Sequence, residues 1–436
     1  MKKFNIVRLG CPKNDADMDI LRGIFENKNY IYEENPAECD YIIIDTCGFI
    51  DSAKKESVET ILEYSQYREI NPKVKIIAVG CFVQRYYDEL KKDLTEADGL
   101  IGVVPPQKIY DTINSEKFSY YNEIPEDTYK CEYRYIPETP YAYVKIADGC
   151  SRKCAFCSIP YFKGDPKSRE IEDIKNEVEF LVKNGKKEII LVSQDNTLYG
   201  TNIYKKQALP DLLSELNSIP GNFWIRVMYL HPDFLSDEII DSIHKNEKVL
   251  NYFDVPMQCG SDSVLKLMGR IKNTGELEKL SQKIRKTPSI LRTSIIVGFP
   301  GESEEDFEKT LDFIDKTEFD KLGAFVYSEE EGTPAHKIKP KISKKVKEKR
   351  LETLMNLQKD ISSEKMESYI DDVLDVLIEE YDNGVYIGRT FMDAPDIDGN
   401  VFVKSENQLN LNEFYKVKIT GSYEYDLEGE IIGGNQ

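Results

Sequence analysis

The middle of the chain contains three cysteines that lie close enough in sequence to bind a metal together. Cys150, Cys154 and Cys157 have the spacing Cys-x3-Cys-x2-Cys. Thiolates that crowd into one loop repel each other, and a shared cation relieves this repulsion once they are deprotonated. A structural zinc ion or a closed [4Fe–4S] cluster normally takes four protein ligands. With three ligands one metal stays open, so this spacing predicts a metal site that also binds a small molecule.

Three more cysteines each follow a short apolar run near the start of the chain. The runs predict buried parallel strands and cover residues 4–9, 41–46 and 75–80. The carboxyl ends of parallel strands emerge at one edge of a sheet, which is where such folds bind ligands. We therefore expect Cys11, Cys47 and Cys81 to converge. A single cysteine in an apolar strand is usually a small buried hydrophobic residue, but three at equivalent strand ends favour a second metal site.

The pattern of apolar runs divides the chain into three units joined by two linkers. Residues 1–116 alternate strand and helix patterns, which predicts an α/β domain with a mostly parallel sheet. Residues 117–140 are rich in tyrosine, proline and acidic residues and predict a linker. A second series of βα units fills residues 141–336. A linker helix at 337–368 then leads to a small antiparallel β-barrel at 369–436.

The central unit is predicted to be a partial (βα)6 barrel of the TIM type. Its strand candidates cover residues 142–147, 188–193, 224–229, 252–255, 291–297 and 323–327. Amphipathic helices are predicted between them at 170–183, 211–217 and 304–315. Barrels of this kind carry their chemistry at the carboxyl ends of the strands. The loop that holds Cys150 follows the first predicted strand, so it lies where the fold places reactive groups.

Composition limits the classes of function. The chain of 436 residues contains 78 acidic and 58 basic residues and has a net charge of −20. General affinity for nucleic acid rests on lysine and arginine neutralising phosphates, so this charge argues against it. No apolar run approaches the roughly 20 residues that cross a bilayer, and the start of the chain lacks the pattern of a signal peptide. Nine cysteines, an odd number, fit a reducing compartment. We therefore expect a cytoplasmic protein that binds no membrane.

Residues 147–158 resemble the signature loop of the radical S-adenosylmethionine (SAM) enzymes. This resemblance implies that the three cysteines of the loop hold a [4Fe–4S] cluster, whose open iron binds the amino and carboxylate groups of SAM. Phe156, directly before the last cysteine, is then expected beside the adenine. The alternative is a zinc knuckle with a distant fourth ligand. Only three histidines are available for that role, and none lies in a ligand-like cluster: His231, His244 and His336.

Two cysteine triplets followed by a small C-terminal β-domain resemble the methylthiotransferases, which replace a C–H bond with C–S–CH3. The resemblance spans essentially the whole chain. Its motifs are Leu-Gly-Cys-Pro-Lys-Asn at 9–14, Asp-Thr-Cys-Gly-Phe at 45–49, Gly-Cys-Phe-Val-Gln-Arg at 80–85, Phe-Lys-Gly-Asp-Pro-Lys-Ser-Arg at 162–169, Ser-Gln-Asp at 193–195 and Val-Gly-Phe-Pro-Gly-Glu at 297–302. It implies that Cys11, Cys47 and Cys81 hold a second [4Fe–4S] cluster, which carries or donates sulfur.

The resemblance also implies the course of the reaction. One SAM molecule methylates sulfur held at the second cluster, and another is cleaved reductively at the Cys150 loop, so that each turnover uses two. The resulting 5′-deoxyadenosyl radical takes a hydrogen atom from the substrate, and the carbon radical collects the sulfur. Such a cycle needs a sulfur donor and an electron of very low potential, from a donor such as flavodoxin or ferredoxin. The cofactors carry the hard chemistry, and we assign no catalytic side chain beyond the cluster ligands.

Two predicted strand ends in the barrel offer further contacts to SAM. Gln194 and Asp195 end one strand. The run from Gly298 to Glu302 ends another, and glycine there lets backbone approach a cofactor closely. For Glu302 the alternative is an ordinary helix N-terminus formed with the residues that follow it. Arg226 is a candidate to pair with the SAM carboxylate through a charge-assisted contact.

The methylthiotransferases divide by substrate, and charge discriminates between the branches. Residues 369–436 hold fifteen acidic and four basic residues, with short β-rich runs at 385–387, 401–404 and 415–420. Such a barrel would repel tRNA and attract a basic protein. Residues 388–399 also resemble the branch that modifies an aspartate, at its β carbon, in small-subunit ribosomal protein S-twelve. We therefore expect that protein, free or on the ribosome, as the partner, and not tRNA.

Two other functions are compatible with parts of the chain. A tRNA methylthiotransferase acting on a modified adenosine is favoured only by residues 337–350, which hold eight basic residues and one acid. A solvated linker helix is the alternative explanation of that segment. A non-catalytic iron–sulfur or zinc protein that binds ribosomes is disfavoured, because structural metal sites are closed by a fourth residue. The remaining cysteines are expected not to be ligands: Cys39, Cys131 and Cys259.

Overall fold

A computed structural model describes residues 1–123 and 130–432 of the chain. Residues 124–129 of the predicted linker 117–140, and residues 433–436 at the end of the predicted C-terminal unit, lie outside the described residues. Within the described ranges no helix is both long enough and apolar enough to span a membrane.

The first part of the chain forms a five-stranded parallel sheet with the strand order β2-β1-β3-β4-β5. Its elements are β1 (Lys3–Arg8), α1 (Pro12–Asn27), β2 (Ile31–Tyr32), β3 (Tyr41–Thr46), α2 (Asp51–Ser65), β4 (Lys75–Gly80), α3 (Cys81–Arg85), α4 (Tyr87–Asp93), β5 (Gly99–Ile101) and α5 (Pro106–Asn114). Ile43 packs into the core on one face of β3, and Ile42 and Ile44 pack into the core on the other. The three predicted strands are confirmed as β1, β3 and β4. They could be predicted because a strand buried on both faces is a continuous apolar run.

The described flanks of the predicted linker are packed against this sheet rather than extended into solvent. Tyr120 donates its backbone N–H to the carbonyl of Leu100 at 2.9 Å, beside β5. The buried guanidinium of Arg134 pairs with Asp19 on α1 at 3.1 Å. Tyr120 and Arg134 therefore attach the two described ends of this polar segment to the N-terminal domain.

The middle of the chain forms a partial barrel of six parallel strands. Its elements are β6 (Tyr141–Lys145), β7 (Ala147–Asp148), α6 (Ile159–Lys163), β8 (Lys167–Ser168), α7 (Ile171–Lys183), β9 (Glu188–Val192), α8 (Leu209–Asn217), β10 (Trp224–Val227), α9 (Asp237–Lys245), β11 (Tyr252–Asp254), α10 (Asp262–Leu267), α11 (Thr274–Ile284), β12 (Ile290–Val297), α12 (Glu304–Thr317) and β13 (Lys321–Val326). Hydrogen bonds join β6, β9 and β10 in one parallel set and β11, β12 and β13 in another. Leu250 N donates to Ile225 O at 2.8 Å between the two sets. All six predicted strands are confirmed.

The last part of the chain is a closed five-stranded barrel in the order β14-β15-β16-β18-β17. The helix α13 (Lys344–Glu367) leads into β14 (Val373–Asp382), β15 (Val385–Arg389), β16 (Val401–Lys404), β17 (Glu413–Ser422) and β18 (Leu427–Ile431). The predicted small barrel is confirmed, but it is not purely antiparallel, since β16 and β18 run parallel. A closed ring with an odd number of strands cannot alternate in direction all the way round, so one pair has to be parallel.

A network of buried charges attaches this barrel to the central one. Arg226 on β10 is fully buried and donates to Glu188 on β9 at 2.6 Å. It also donates to the backbone carbonyls of Phe391 and Asp393 at 3.0 Å each. Arg389 at the end of β15 binds the other oxygen of Glu188 at 2.8 Å. The connection between β15 and β16 is therefore seated on the strands of the central barrel.

Candidate active site

All six predicted cysteine ligands line one cavity of about 290 Å³, which lies between the N-terminal sheet and the central barrel. One triplet comes from the ends of the sheet strands and consists of Cys11, Cys47 and Cys81. The other comes from the loop between β7 and α6 and consists of Cys150, Cys154 and Cys157. The three cysteines that the strand-end argument grouped therefore do converge, and the structure also places the second triplet at the same cavity, which the sequence did not predict.

Glycines allow the N-terminal cysteines to approach one another. Gly80, directly before Cys81, has φ +97°, and a side chain there would meet a carboxylate oxygen of Asp45 at 2.9 Å. Gly48, directly after Cys47, has the Cα of Phe82 only 2.8 Å from where its Cβ would be. Any larger residue at these positions would force apart the loops that carry Cys47 and Cys81.

The second triplet is held by backbone hydrogen bonds to the barrel. Cys150 N donates to Gly164 O at 2.9 Å, and Ala155 N donates to Met268 O at 2.8 Å. Gly149 has φ +80°, and a Cβ there would lie 2.3 Å from a backbone oxygen of Asp165. These contacts fix the loop against the ends of α6 and α10, and its three thiols line the cavity as a set.

Ion pairs across the interface set the distance between the triplets. Glu330, in the segment after β13, is buried and accepts from Lys54 on α2 at 3.0 Å and from Arg85 at 2.8 Å. Arg85 also donates to the carbonyl of Gly48 at 2.9 Å, next to Cys47. One carboxylate of the central barrel thus anchors the end of the N-terminal sheet that carries the cysteines.

Burial keeps these thiols protonated as long as no metal is bound. Burial raises the pKa of Cys150 to about 11 and the pKa values of Cys157 and Cys81 to about 12. A buried thiol gives up its proton when a cation takes its place, so metal binding here releases protons. Soft thiolate donors select iron–sulfur clusters, zinc and copper(I). Two sets of three thiols facing one cavity fit two [4Fe–4S] clusters, each with one iron open.

The described residues contain no compact site for a single metal ion, in the sense that no three His, Cys, Asp or Glu side chains surround one point. The other cysteines lie away from the cavity. Cys39 is fully buried in the core beneath the N-terminal sheet. The thiol of Cys259 lies in the barrel core, 3.3 Å from the hydroxyl of Thr310.

The cavity is strongly cationic, in contrast to the chain as a whole. The charged residues in its wall, apart from the cysteines and His231, are four cations and one carboxylate: Lys13, Arg152, Lys163, Arg270 and Asp195. Arg152 pairs with Asp195 at 2.8 Å, and Lys163 pairs with Asp148, just behind the wall, at 3.0 Å. Within the described residues neither Lys13 nor Arg270 is paired with a carboxylate. The surplus of positive charge suits anionic contents such as cysteinate-bound clusters and carboxylates.

His231 and Arg270 are functional candidates that the sequence pattern did not reveal. His231 Nε2 lies 3.6 Å from the sulfur of Cys154, and Arg270 Nη1 lies 3.8 Å from it. Burial and the neighbouring Arg270 lower the pKa of His231 to about 2, so the imidazole is neutral. Both residues can donate N–H to a thiolate sulfur. His231 follows the end of β10, so the strand-end argument applied to Gln194 could have found it; Arg270 follows α10 and carries no such signal.

Comparison with known proteins places these features in a family. The Radical SAM superfamily model matches residues 144–314, the model of "Uncharacterized protein family UPF0004" matches 3–102 and the TRAM domain model matches 370–432. A protein of Petrotoga mobilis is 58% identical over 434 residues, which cover 99% of this chain and 100% of that protein. A protein of Fervidobacterium nodosum is 50% identical over 432 residues, with 99% of each chain covered. Both are named ribosomal protein uS12 methylthiotransferase RimO.

The chain belongs to this methylthiotransferase family. Membership of this family implies that the chain uses SAM and a [4Fe–4S] cluster. The overall fold is shared more widely. The radical SAM methyltransferase TsrM from Kitasatospora setae superposes with a TM-score of 0.56 at 13% identity, covering 89% of this chain and 81% of that one. At that identity the likeness concerns the fold alone.

Three of the six SAM contacts expected for a methylthiotransferase lie in the cavity wall: Phe156, Gln194 and Asp195. The guanidinium of Arg270 lies 5.8 Å from the ring of Phe156. Gln194 donates to Asp148 at 2.6 Å, while its own carbonyl oxygen Oε1 is buried without a hydrogen-bond partner among the described residues. A buried acceptor without a donor costs free energy unless a ligand supplies one.

The other three expected contacts lie outside the cavity wall. Arg226 faces the C-terminal barrel, as described above, which corrects the expectation that it pairs with SAM. Glu302 turns back to accept the backbone N–H groups of Gly298 and Phe299 at 3.1 and 3.2 Å. Gly298 lies against α13, where a Cβ would meet Lys347 at 2.3 Å. These residues do end a strand, but they are used for packing, and Glu302 also forms a buried ion pair with Arg350.

Proposed function

We propose that this protein inserts sulfur and a methyl group at the β carbon of an aspartate in ribosomal protein uS12, the S-twelve protein of the small subunit. The observation that carries the proposal is the meeting of two cysteine triplets in one cavity of a chain that is 58% identical over its whole length to a uS12 methylthiotransferase. One triplet alone would serve SAM cleavage. Two facing triplets allow a sulfur-carrying site and a radical-forming site to act on the same substrate atom.

The two triplets have different roles in this proposal. Cys150, Cys154 and Cys157 would hold the [4Fe–4S] cluster that binds SAM, and the strand-end triplet would hold the auxiliary [4Fe–4S] cluster. When bound, these groups supply the electron for SAM cleavage and the site at which sulfur is carried. We further propose two SAM molecules per turnover, a separate sulfur donor, and a low-potential electron donor such as flavodoxin or ferredoxin, all in the cytoplasm where ribosomes are made.

Side chains of the cavity would orient SAM and exclude water. Phe156 offers a flat apolar face for the adenine, and Gln194 offers an unused carbonyl oxygen. Asp195 is buried and held by Arg152, so it presents a fixed acceptor to a ribose hydroxyl. Arg270 lies against Cys154 and donates towards its sulfur, and neutral His231 lies 3.6 Å from the same sulfur, so both stand where they can stabilise a thiolate.

The C-terminal barrel favours a basic protein as the partner. Exposed acids such as Glu380 and Asp382 lie on β14. In the basic segment 337–350 before the barrel, five lysines are exposed and only Arg350 is buried. Lys347 donates to the carbonyl of Tyr327 at 2.8 Å, and Arg350 is buried against α12. Phosphate recognition needs free cations, and it is the acidic surface of the barrel, not this segment, that disfavours tRNA as the substrate.

A competition reaction tests the proposal. Reconstituted enzyme, SAM and a reductant are mixed under anaerobic conditions with a peptide covering the target loop of uS12 and with isopentenylated tRNA, and both are analysed by mass spectrometry. We expect one methylthio group on the peptide aspartate and none on the tRNA. Modification of the tRNA alone would overturn the assignment of the branch. Formation of 5′-deoxyadenosine without modification of either would overturn the proposed substrate.

A further inference from the structure

Lys13 is a cation in the cavity with no anion assigned to it. It lies in the first turn of α1, two residues after Cys11, and its side chain is partly accessible from the cavity. Its ammonium nitrogen lies 4.1 Å from the centre of the Tyr229 ring. Among the described residues Lys13 has no hydrogen bond or ion pair through this nitrogen. The potential anions around it are the thiol of Cys11, a proposed cluster ligand, and Asp148, which is paired with Lys163. The ammonium therefore has no carboxylate of its own among the described residues.

The aromatic ring next to Lys13 is held in place by a strained backbone. Tyr229 has φ +56°, which is rare for a bulky residue that is not glycine. Its N–H donates to the carboxylate of Asp254 at 2.9 Å, which holds the backbone in this conformation. Strain of this kind persists where the surrounding structure enforces it, commonly at functional sites. The central barrel therefore holds Tyr229 in an unfavourable backbone conformation, in which its ring lies next to the ammonium of Lys13.

The other cations of the cavity already have partners or a different neighbour. Arg152 and Lys163 are each paired with a carboxylate. Arg270 lies against Cys154, on the side of the triplet expected to bind SAM. Lys13 is therefore the cation that is left for an anion at the auxiliary side of the cavity.

We infer that Lys13 binds the side-chain carboxylate of the substrate aspartate and so positions its β carbon between the two cysteine triplets. This inference rests on the proposed function. The β carbon of aspartate is bonded directly to the carboxylate carbon, so an ammonium that fixes the carboxylate fixes the reacting carbon to within one bond. Orientation of this kind supplies much of the rate in enzymes. Asparagine would lack the charge, and glutamate would move the β carbon away by one methylene.

Binding of labelled peptides to the reconstituted enzyme tests the inference. Fluorescein-labelled uS12 loop peptides carrying aspartate or asparagine at the target position are titrated by fluorescence anisotropy. We expect the wild-type enzyme to prefer the aspartate peptide, and Lys13→Gln to reduce that preference on the order of 100-fold, as for a buried charged contact. Lys13→Arg keeps the charge and should restore part of the preference. Lys28→Gln, at the exposed far end of α1, is the matched control and should change nothing.

Separate readouts distinguish this role from a purely structural one. The iron content should be the same in Lys13→Gln and in the wild type. If the preference for aspartate survives in Lys13→Gln, the inference is wrong. If both peptides weaken equally and iron is lost, Lys13 supports the Cys11 triplet instead, which also overturns it. If the wild-type enzyme neither binds nor modifies the aspartate peptide, the proposed function itself has failed.

Discussion

Replacing Arg226 by methionine tests whether this residue holds the C-terminal barrel or binds SAM. Arg226 is fully buried, and the substitution removes one ion pair with Glu188 and hydrogen bonds to two backbone carbonyls. Breaking a buried ion pair typically costs about 3–5 kcal/mol, because the remaining charge is left without a partner. Glu188 keeps Arg389 at 2.8 Å. We therefore expect a loss of about 3 kcal/mol, at the lower end of that range.

The chain provides its own probe for this experiment. Trp224 is the only tryptophan, and its ring lies 4.6 Å from that of Phe414 on β17, across the same interface. Its fluorescence therefore reports separation of the two barrels during urea unfolding. In Arg226→Met the tryptophan transition should move to lower urea, while the KM for SAM in the cleavage reaction stays unchanged. Lys309→Met, which breaks an exposed pair with Glu305, is the control and should leave the transition unmoved.

The opposite pattern would refute the reasoning. If Arg226→Met leaves the tryptophan transition in place and raises the KM for SAM tenfold or more, Arg226 contacts SAM and the interface described above is wrong. A double-mutant cycle with Glu188→Gln adds a second criterion. The two residues touch, so their effects on the free energy of unfolding should not be additive.

Further predictions concern the cysteines, the buried histidine and the acidic barrel. Cys154→Ala should abolish formation of 5′-deoxyadenosine, whereas Cys47→Ala should retain it and lose methylthiolation of the peptide; full methylthiolation in the latter would exclude the strand-end triplet. The pKa of His231 lies at about 2 in the folded protein, below its unfolded value of about 6.5, so its stabilising effect is present above pH 6.5 and is lost on acidification. Between pH 6.5 and 5 the apoprotein should lose about 2 kcal/mol of unfolding free energy through this group, and His231→Gln should show a flatter acid limb in urea titrations. Glu380→Lys with Asp382→Lys should weaken binding of uS12 at low salt; an unchanged Kd would argue against electrostatic attraction.

Much of the fold, and the convergence of the strand-end cysteines, could be predicted because they follow from strong local rules. Buried parallel strands are continuous apolar runs, and the carboxyl ends of such strands share an edge, so Cys11, Cys47 and Cys81 could be grouped without any pairing information. Elements that lack these signals were missed. β2 and β5 have two and three residues, and the long strand β14 was missed because its acidic residues interrupt the apolar pattern.

The errors in the site have a common physical cause. The strand-end rule gives the position of a residue but not the direction of its side chain. Glu302 stands at a strand end yet turns back to its own backbone, and Arg226 lies inside a strand whose neighbour supplies a buried carboxylate. Arg270 and Lys13 are brought to the cavity by contacts between distant segments, which no local pattern encodes. The sequence therefore lacked two kinds of information: the direction of each side chain and the contacts between segments that are distant along the chain.

The positive charge of the cavity and the negative charge of the whole chain would select a partner in different ways. Fields outside the protein extend about one Debye length, roughly 8 Å at physiological salt, and there the chain with its net charge of −20 attracts cations. Inside the cavity four cations stand against one carboxylate, so the attraction reverses. The outer field favours the approach of a basic partner, and the cations of the cavity wall favour an acidic group on that partner. A single carboxylate on a positively charged protein meets both conditions, whereas uniformly acidic or uniformly basic molecules each fail at one of the two ranges.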